Sequence, residues 1–205
     1  MKIIKKILAL SLALASMGAL AEDQVSYSLG LKIWSHTMAA PSKTSLTVNS
    51  PLVSGSVKYK DFSLTASSLL QTTYIDSSNS VVATRTDTDY AFGYTVFDKV
   101  TLILGSKTIS GPGVKDMVGM FYGLSVAQPI HEQGFVFGTL AQSNNVSNLD
   151  GLSADGKFSL VDVGYGHVIN KNTTVNIGYR QQVFTTAVNN KYTLGGITFG
   201  VSFNF

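Results

Sequence analysis

The chain has 205 residues, no cysteine and only 13% charged side chains, which excludes a disulfide framework, a thiolate metal site and a cysteine nucleophile. Its formal charge of +3 is that of Lys2, Lys5 and Lys6; beyond residue 21 the twelve remaining cations face twelve anions, so a basic nucleic-acid surface is not supported. Past the N-terminus no stretch approaches the roughly 20 continuous apolar residues of a membrane helix.

In chain order, the first element spans residues 1–21: three lysines, an apolar run from Ile7 through Leu14, and Ala19-Leu20-Ala21 before Glu22. This is the layout of a secretory signal peptide cleaved after Ala21. One domain is expected over 22–205, with no repeat or linker inside it.

Ten stretches of period-two alternation follow, over 25–37, 52–60, 62–74, 87–97, 100–110, 118–128, 134–143, 157–168, 173–183 and 192–205. Alternation with one apolar face predicts strands that touch an apolar medium on one side only. The stretch around Val136 to Leu140 is irregular, which leaves an eight-stranded count as the alternative. The connections alternate in length. Lys60-Asp61, Asp98-Lys99, Pro129 to Gln133 and Ile169 to Asn172 are short, whereas 38–51, 75–86, 111–117, 144–156 and 184–191 are longer. Short turns at one end and long loops at the other are the plan of an up-and-down transmembrane antiparallel barrel, turns in the periplasm and loops outside.

The outward faces carry no charge. They include Leu29, Leu31 and Ile33; Leu64 and Leu70; Phe92 and Tyr94; Leu102 and Leu104; Tyr122 and Leu124; Phe135 and Phe137; Val163; Ile177; and Phe199 and Val201. Tyr27, Tyr59, Phe62, Phe97, Phe135, Tyr165 and Phe205 are expected near the periplasmic ends and Tyr74 and Tyr90 near the outer ends, as two interfacial girdles. A soluble barrel of the lipocalin type would place its polar residues outward instead.

The last strand carries a further signal. Thr198, Gly200, Phe203 and Phe205 are a polar residue, a glycine two later, and aromatics third from last and last. This pattern resembles the C-terminal assembly signal of small Gram-negative outer-membrane β-barrel proteins. The resemblance implies residence in the bacterial outer membrane and recognition of the last strand by the barrel-assembly machinery.

The inward faces mix Gly, Ser and Thr with charge. Lys32, Asp89, Lys107, Asp162 and Arg180 each stand some six to eight residues above the periplasmic end of their strands, and so are expected to form one belt across the lumen. In a barrel this narrow such charges pair with one another, or they form the constriction of a channel with a slight anion preference.

Of the three histidines, His131 and His167 fall at the periplasmic end as ordinary interfacial residues. His36, with Asp76 and Ser77 in the second long loop, has the residue types of a nucleophilic triad. The set is similar in residue type to the lipid A palmitoyltransferase barrels, but those have a helix before the first strand and eight strands. Omptin-like proteases have paired acids on a barrel that rises well above the membrane, which strands of nine to fourteen residues would not. Asp150-Gly151 and Asp155-Gly156 are turn signals without the spacing of a calcium loop.

The sequence thus predicts a non-enzymatic integral outer-membrane barrel with a structural or surface-interaction role and no cofactor, metal or catalytic residue. A narrow porin-like diffusion channel is the alternative, and a lipid-modifying enzyme at the outer rim a third. The expected partners are outer-membrane lipids, the assembly machinery and an extracellular ligand at the long loops.

Overall fold

The computed structural model of the protein describes residues 25–39, 45–75, 80–97, 99–112, 115–149 and 155–205; the expected signal peptide and its cleavage after Ala21 lie outside them. Ten strands follow one another: β1 (Val25–Ala39), β2 (Leu46–Tyr59), β3 (Phe62–Ile75), β4 (Val81–Val96), β5 (Val100–Ser110), β6 (Met117–His131), β7 (Gly134–Val146), β8 (Gly156–Asn170), β9 (Thr173–Thr185) and β10 (Lys191–Asn204). Each pairs antiparallel with the next, and β1 pairs with β10 to close the barrel, so the eight-stranded alternative is set aside. Closure leaves no strand without a neighbour on each side, as a hydrocarbon surround demands.

The short turns, expected at the periplasmic end, are tight. Lys60 and Phe97 turn the chain in the left-handed region, with φ of 52° and 54°. A non-glycine residue there is strained. Phe97 is 90% exposed beside this turn, in position to anchor the barrel at the membrane interface.

Several strands are longer than expected, mostly at their outer ends. β2 begins at Leu46 rather than 52, and β4 at Val81 rather than 87. Pro51 interrupts the alternation of β2. It is tolerated because the β2–β3 ladder begins only at Leu52, opposite Leu69, leaving Pro51 on a locally unpaired edge.

The outward surface is a continuous apolar band of Leu, Ile, Val, Phe and Tyr, with Leu104 at mid-strand 55% exposed. Among the described strand residues, the charges on this face, Lys157 and Lys191, stand at the outer ends of β8 and β10. Two expectations for the outward face are corrected. Phe135 and Phe137 point inward, because they pair directly with Gly166 and Gly164, over which their rings lie inside the barrel. Val136 and Leu140 are the exposed residues of β7. Tyr74 is also inside and 1% exposed. A register shift in the β3–β4 ladder between Leu69 and Thr72 exchanges the two faces of β3, so that Thr72 and Tyr74 turn into the lumen.

Replacing Leu104 with arginine is expected to destabilise the barrel by about 2–4 kcal/mol, the cost of a cation on the lipid face near the midplane. Urea unfolding in lipid vesicles measures it, and a change within experimental error would contradict a membrane position for this band.

Candidate functional site in the barrel lumen

The inner wall is graded in burial. In its outer half the inward side chains are buried: Trp34 and His36 from β1, Leu52, Leu69, Tyr74, Asp87, Lys107, Ile109, Phe121, Phe158, Gln182, Phe184 and Leu194. In its periplasmic half Ser28, Gly30, Ser54, Ser56, Ser63, Thr65, Ser125 and Ser202 are partly exposed although they face inward. Small side chains there leave a pit open toward the periplasm. Large ones above fill the bore.

That filling is cross-braced. β4 and β9 occupy opposite walls, and Arg85 bridges them: it donates two hydrogen bonds of 2.5 Å to Asp87 and one of 3.0 Å to Gln182 Oε1. Its guanidinium also lies 4.9 Å from the ring of Phe184, which packs 5.0 Å from Phe158. Lys107 donates to Asp87 at 3.2 Å and lies 2.7 Å from Asp89. Arg180 pairs with Asp162 on the neighbouring strand at 3.6 Å and reaches Asp89 across the lumen at 3.9 Å.

The aromatic part of the plug is ordered by hydrogen bonds. His36 stacks on Trp34 with centroids 3.9 Å apart. Its Nδ1 lies 3.2 Å from the Trp34 carbonyl, which can only accept, so Nδ1 donates there, and Nε2 lies 2.8 Å from the Tyr74 hydroxyl. His36 is thereby held in the plug through both ring nitrogens. Asp76 and Ser77, its expected triad partners, lie outside the described residues.

Of the five expected belt residues, Asp89, Lys107, Asp162 and Arg180 meet in one ion-paired network. Lys32 does not join it: it forms no salt bridge among the described residues, and its ammonium lies 5.2 Å from the Phe137 ring. Arg85 belongs to the network but was assigned to a loop by sequence, and Asp87 was not counted in the belt. A charge at every second position, Arg85-x-Asp87-x-Asp89, is the signal that finds both.

Thr198 is buried in the lumen wall opposite Trp34, and Gly200 accommodates the stem of Lys32, while Phe203 and Phe205 are exposed outside. At the periplasmic rim Tyr165 joins His131 and His167 through contacts of 3.0 and 3.2 Å. Among the described residues no cluster of three or more His, Cys, Asp or Glu could hold a metal ion.

No family model and no curated protein matches the chain. Among solved structures, the outer membrane protease OmpT of Escherichia coli superposes with a TM-score of 0.57 at 12% identity, over 90% of this chain and 98% of that one. The translocator domain of the autotransporter NalP of Neisseria meningitidis gives 0.43 at 10% identity over 98% and 96%. Ail of Yersinia pestis gives 0.38 at 9% identity over 89% and 99%. At such identities the likeness is one of fold, and the chain is an all-β, closed ten-stranded barrel of the bacterial outer-membrane type.

Proposed function

We propose that this chain is a non-enzymatic barrel of the Gram-negative outer membrane, closed toward the outside by its own side chains. It serves as a structural element of the envelope or presents its long outer loops to a surface partner. The observation that carries this reading is the burial gradient of the lumen. Side chains that a pore would leave wet are stacked and ion-paired in the outer half, while the periplasmic half stays accessible. Enclosed charges are tolerable when paired, and six of the seven at this depth are.

The enzymatic alternative gains no support from His36, whose ring nitrogens meet the Trp34 carbonyl and the Tyr74 hydroxyl within the plug. The exposed Phe203 and Phe205, on the strand that closes the barrel against β1, suit recognition by the assembly machinery.

The mature chain refolded into a planar bilayer should give no single-channel steps, with folding verified by a heat-dependent gel shift. Reproducible steps of uniform size would overturn the closed-lumen reading in favour of a narrow channel.

A further inference from the structure

The lipid-facing wall carries its charge in one place. Among the described strand residues the charges on that face are Lys157 and Lys191, both exposed. They share one row of the sheet, because Thr185 of β9 pairs with Lys157 on one side and with Lys191 on the other. Two strand spacings put the lysine backbones about 10 Å apart, so their side chains can converge over the Thr185 hydroxyl. Neither lysine forms a salt bridge among the described residues, and Asp155, two residues before Lys157, is not bridged to it. Like charges in one row of a sheet are unfavourable together and draw an anion between them.

Height decides what that anion belongs to. Lys157 and His167 are ten residues apart on β8, and His167 belongs to the rim at the other end. At roughly 3.3 Å per residue and a tilt of about 40°, ten residues rise about 25 Å, which is the height of the apolar band of an outer-membrane barrel. The lysine row therefore stands where the headgroups of the outer leaflet begin. Below the row, Tyr179 and Gln181 of β9 reach toward Gly195 of β10: a Cβ on this glycine would lie 2.7 Å from Tyr179 Oη and 3.7 Å from Gln181 Nε2. The missing side chain lets the phenol tip lie across the wall beside the amide. Val163, Ile197 and Phe199 are exposed beside and beneath them. On the opposite wall the outer part of β4 presents Thr84, Thr86 and Thr88 outward and no cation, so the lysine pair is a local seat and not a ring around the barrel.

We propose that Lys157, Thr185 and Lys191 seat one phosphate of a phosphorylated glycolipid of the outer leaflet. Gln181 and Tyr179 then meet its sugar, and the apolar wall its acyl chains. The inference rests on the long loops facing outward and is independent of conduction, so its failure would leave the bilayer test of the closed lumen as it stands.

Native mass spectrometry of the refolded barrel in detergent, titrated with diphosphoryl lipid A, tests it. One saturable lipid is expected. A lysine near an anionic lipid contributes about fivefold in affinity, so Lys157→Gln/Lys191→Gln, shown to be folded by its gel shift, should bind roughly 25-fold more weakly. Lys60→Gln/Lys171→Gln removes the same charge from two short turns at the other end and should bind as the wild type does. Unchanged binding by the first variant, or an equal loss in the second, overturns the proposal. The wild-type barrel gives a reading that needs no variant: lipid A stripped of its phosphates should lose affinity by a similar factor, and unchanged affinity overturns the proposal. Inorganic phosphate in molar excess should leave the bound lipid in place, and displacement would overturn the lipid as the occupant.

Discussion

Replacing Asp87 with alanine is expected to be the most damaging single change to the charge network, lowering stability by about 3–5 kcal/mol. Asp87 is 2% exposed and accepts from both Arg85 and Lys107. Its loss leaves two enclosed cations short of an acceptor they share: Arg85 keeps Gln182 and the Phe184 ring, and Lys107 keeps Asp89. Removing one partner of a buried pair leaves the desolvation cost of the other uncompensated, which exceeds what the pair itself contributes. The comparison with Arg85→Met/Asp87→Leu/Lys107→Met tests that cause, since clearing all three charges should recover much of the loss although it removes more hydrogen bonds. Urea unfolding of the three proteins in the same vesicles measures the difference. A triple variant weaker than Asp87→Ala would show that the network stabilises in its own right.

The residues of this network also mark where sequence patterning works and where it fades. Within the bilayer the outward face must be apolar, so the alternation of β5, β9 and β10 is strong and their limits lie within two residues of those expected. Above the bilayer that constraint lapses. The outer part of β4 is flanked by Thr84, Thr86 and Thr88 on its outward face, so period two in hydropathy disappears just where Arg85 and Asp87 lie. Tyr74 was misplaced for another reason. The β3 irregularity is a property of its pairing with β4, which no local alternation announces. Phe135 and Phe137 were misplaced because β7 is apolar on both faces, and their direction is decided on the neighbouring strand, where Gly164 and Gly166 leave room only inside. Ion pairing was legible as a consequence of confinement. That Arg180 and Arg85 would cross the bore was not, because it depends on β4 and β9 being opposite walls of a ten-stranded closure.

Opening the plug should turn the closed barrel into a conducting one, and Trp34 is the residue to remove first. It is fully buried, stacked on His36, and paired with Thr198, which has Gly196 and Gly200 two residues away on its own strand and Gly178 opposite it on the next. Glycines have no side chains with which to fill a void, so the space left by Trp34→Ala should persist rather than collapse. Its cost is about 3–5 kcal/mol, the range for deleting a large buried aromatic side chain. The void would extend the periplasmic pit upward, but Phe158, Phe184 and Tyr74 still stand above it, so the single variant is expected to be less stable and still silent in a planar bilayer. Adding Phe184→Ala removes the ring on which Arg85 lies and against which Phe158 packs. The double variant is then expected to give discrete conductance steps, biased toward anions by the excess of cations along the path. Steps from Trp34→Ala alone would mean that the seal is a single ring. A folded double variant without conductance would mean that the ion pairs, rather than the aromatic rings, close the lumen.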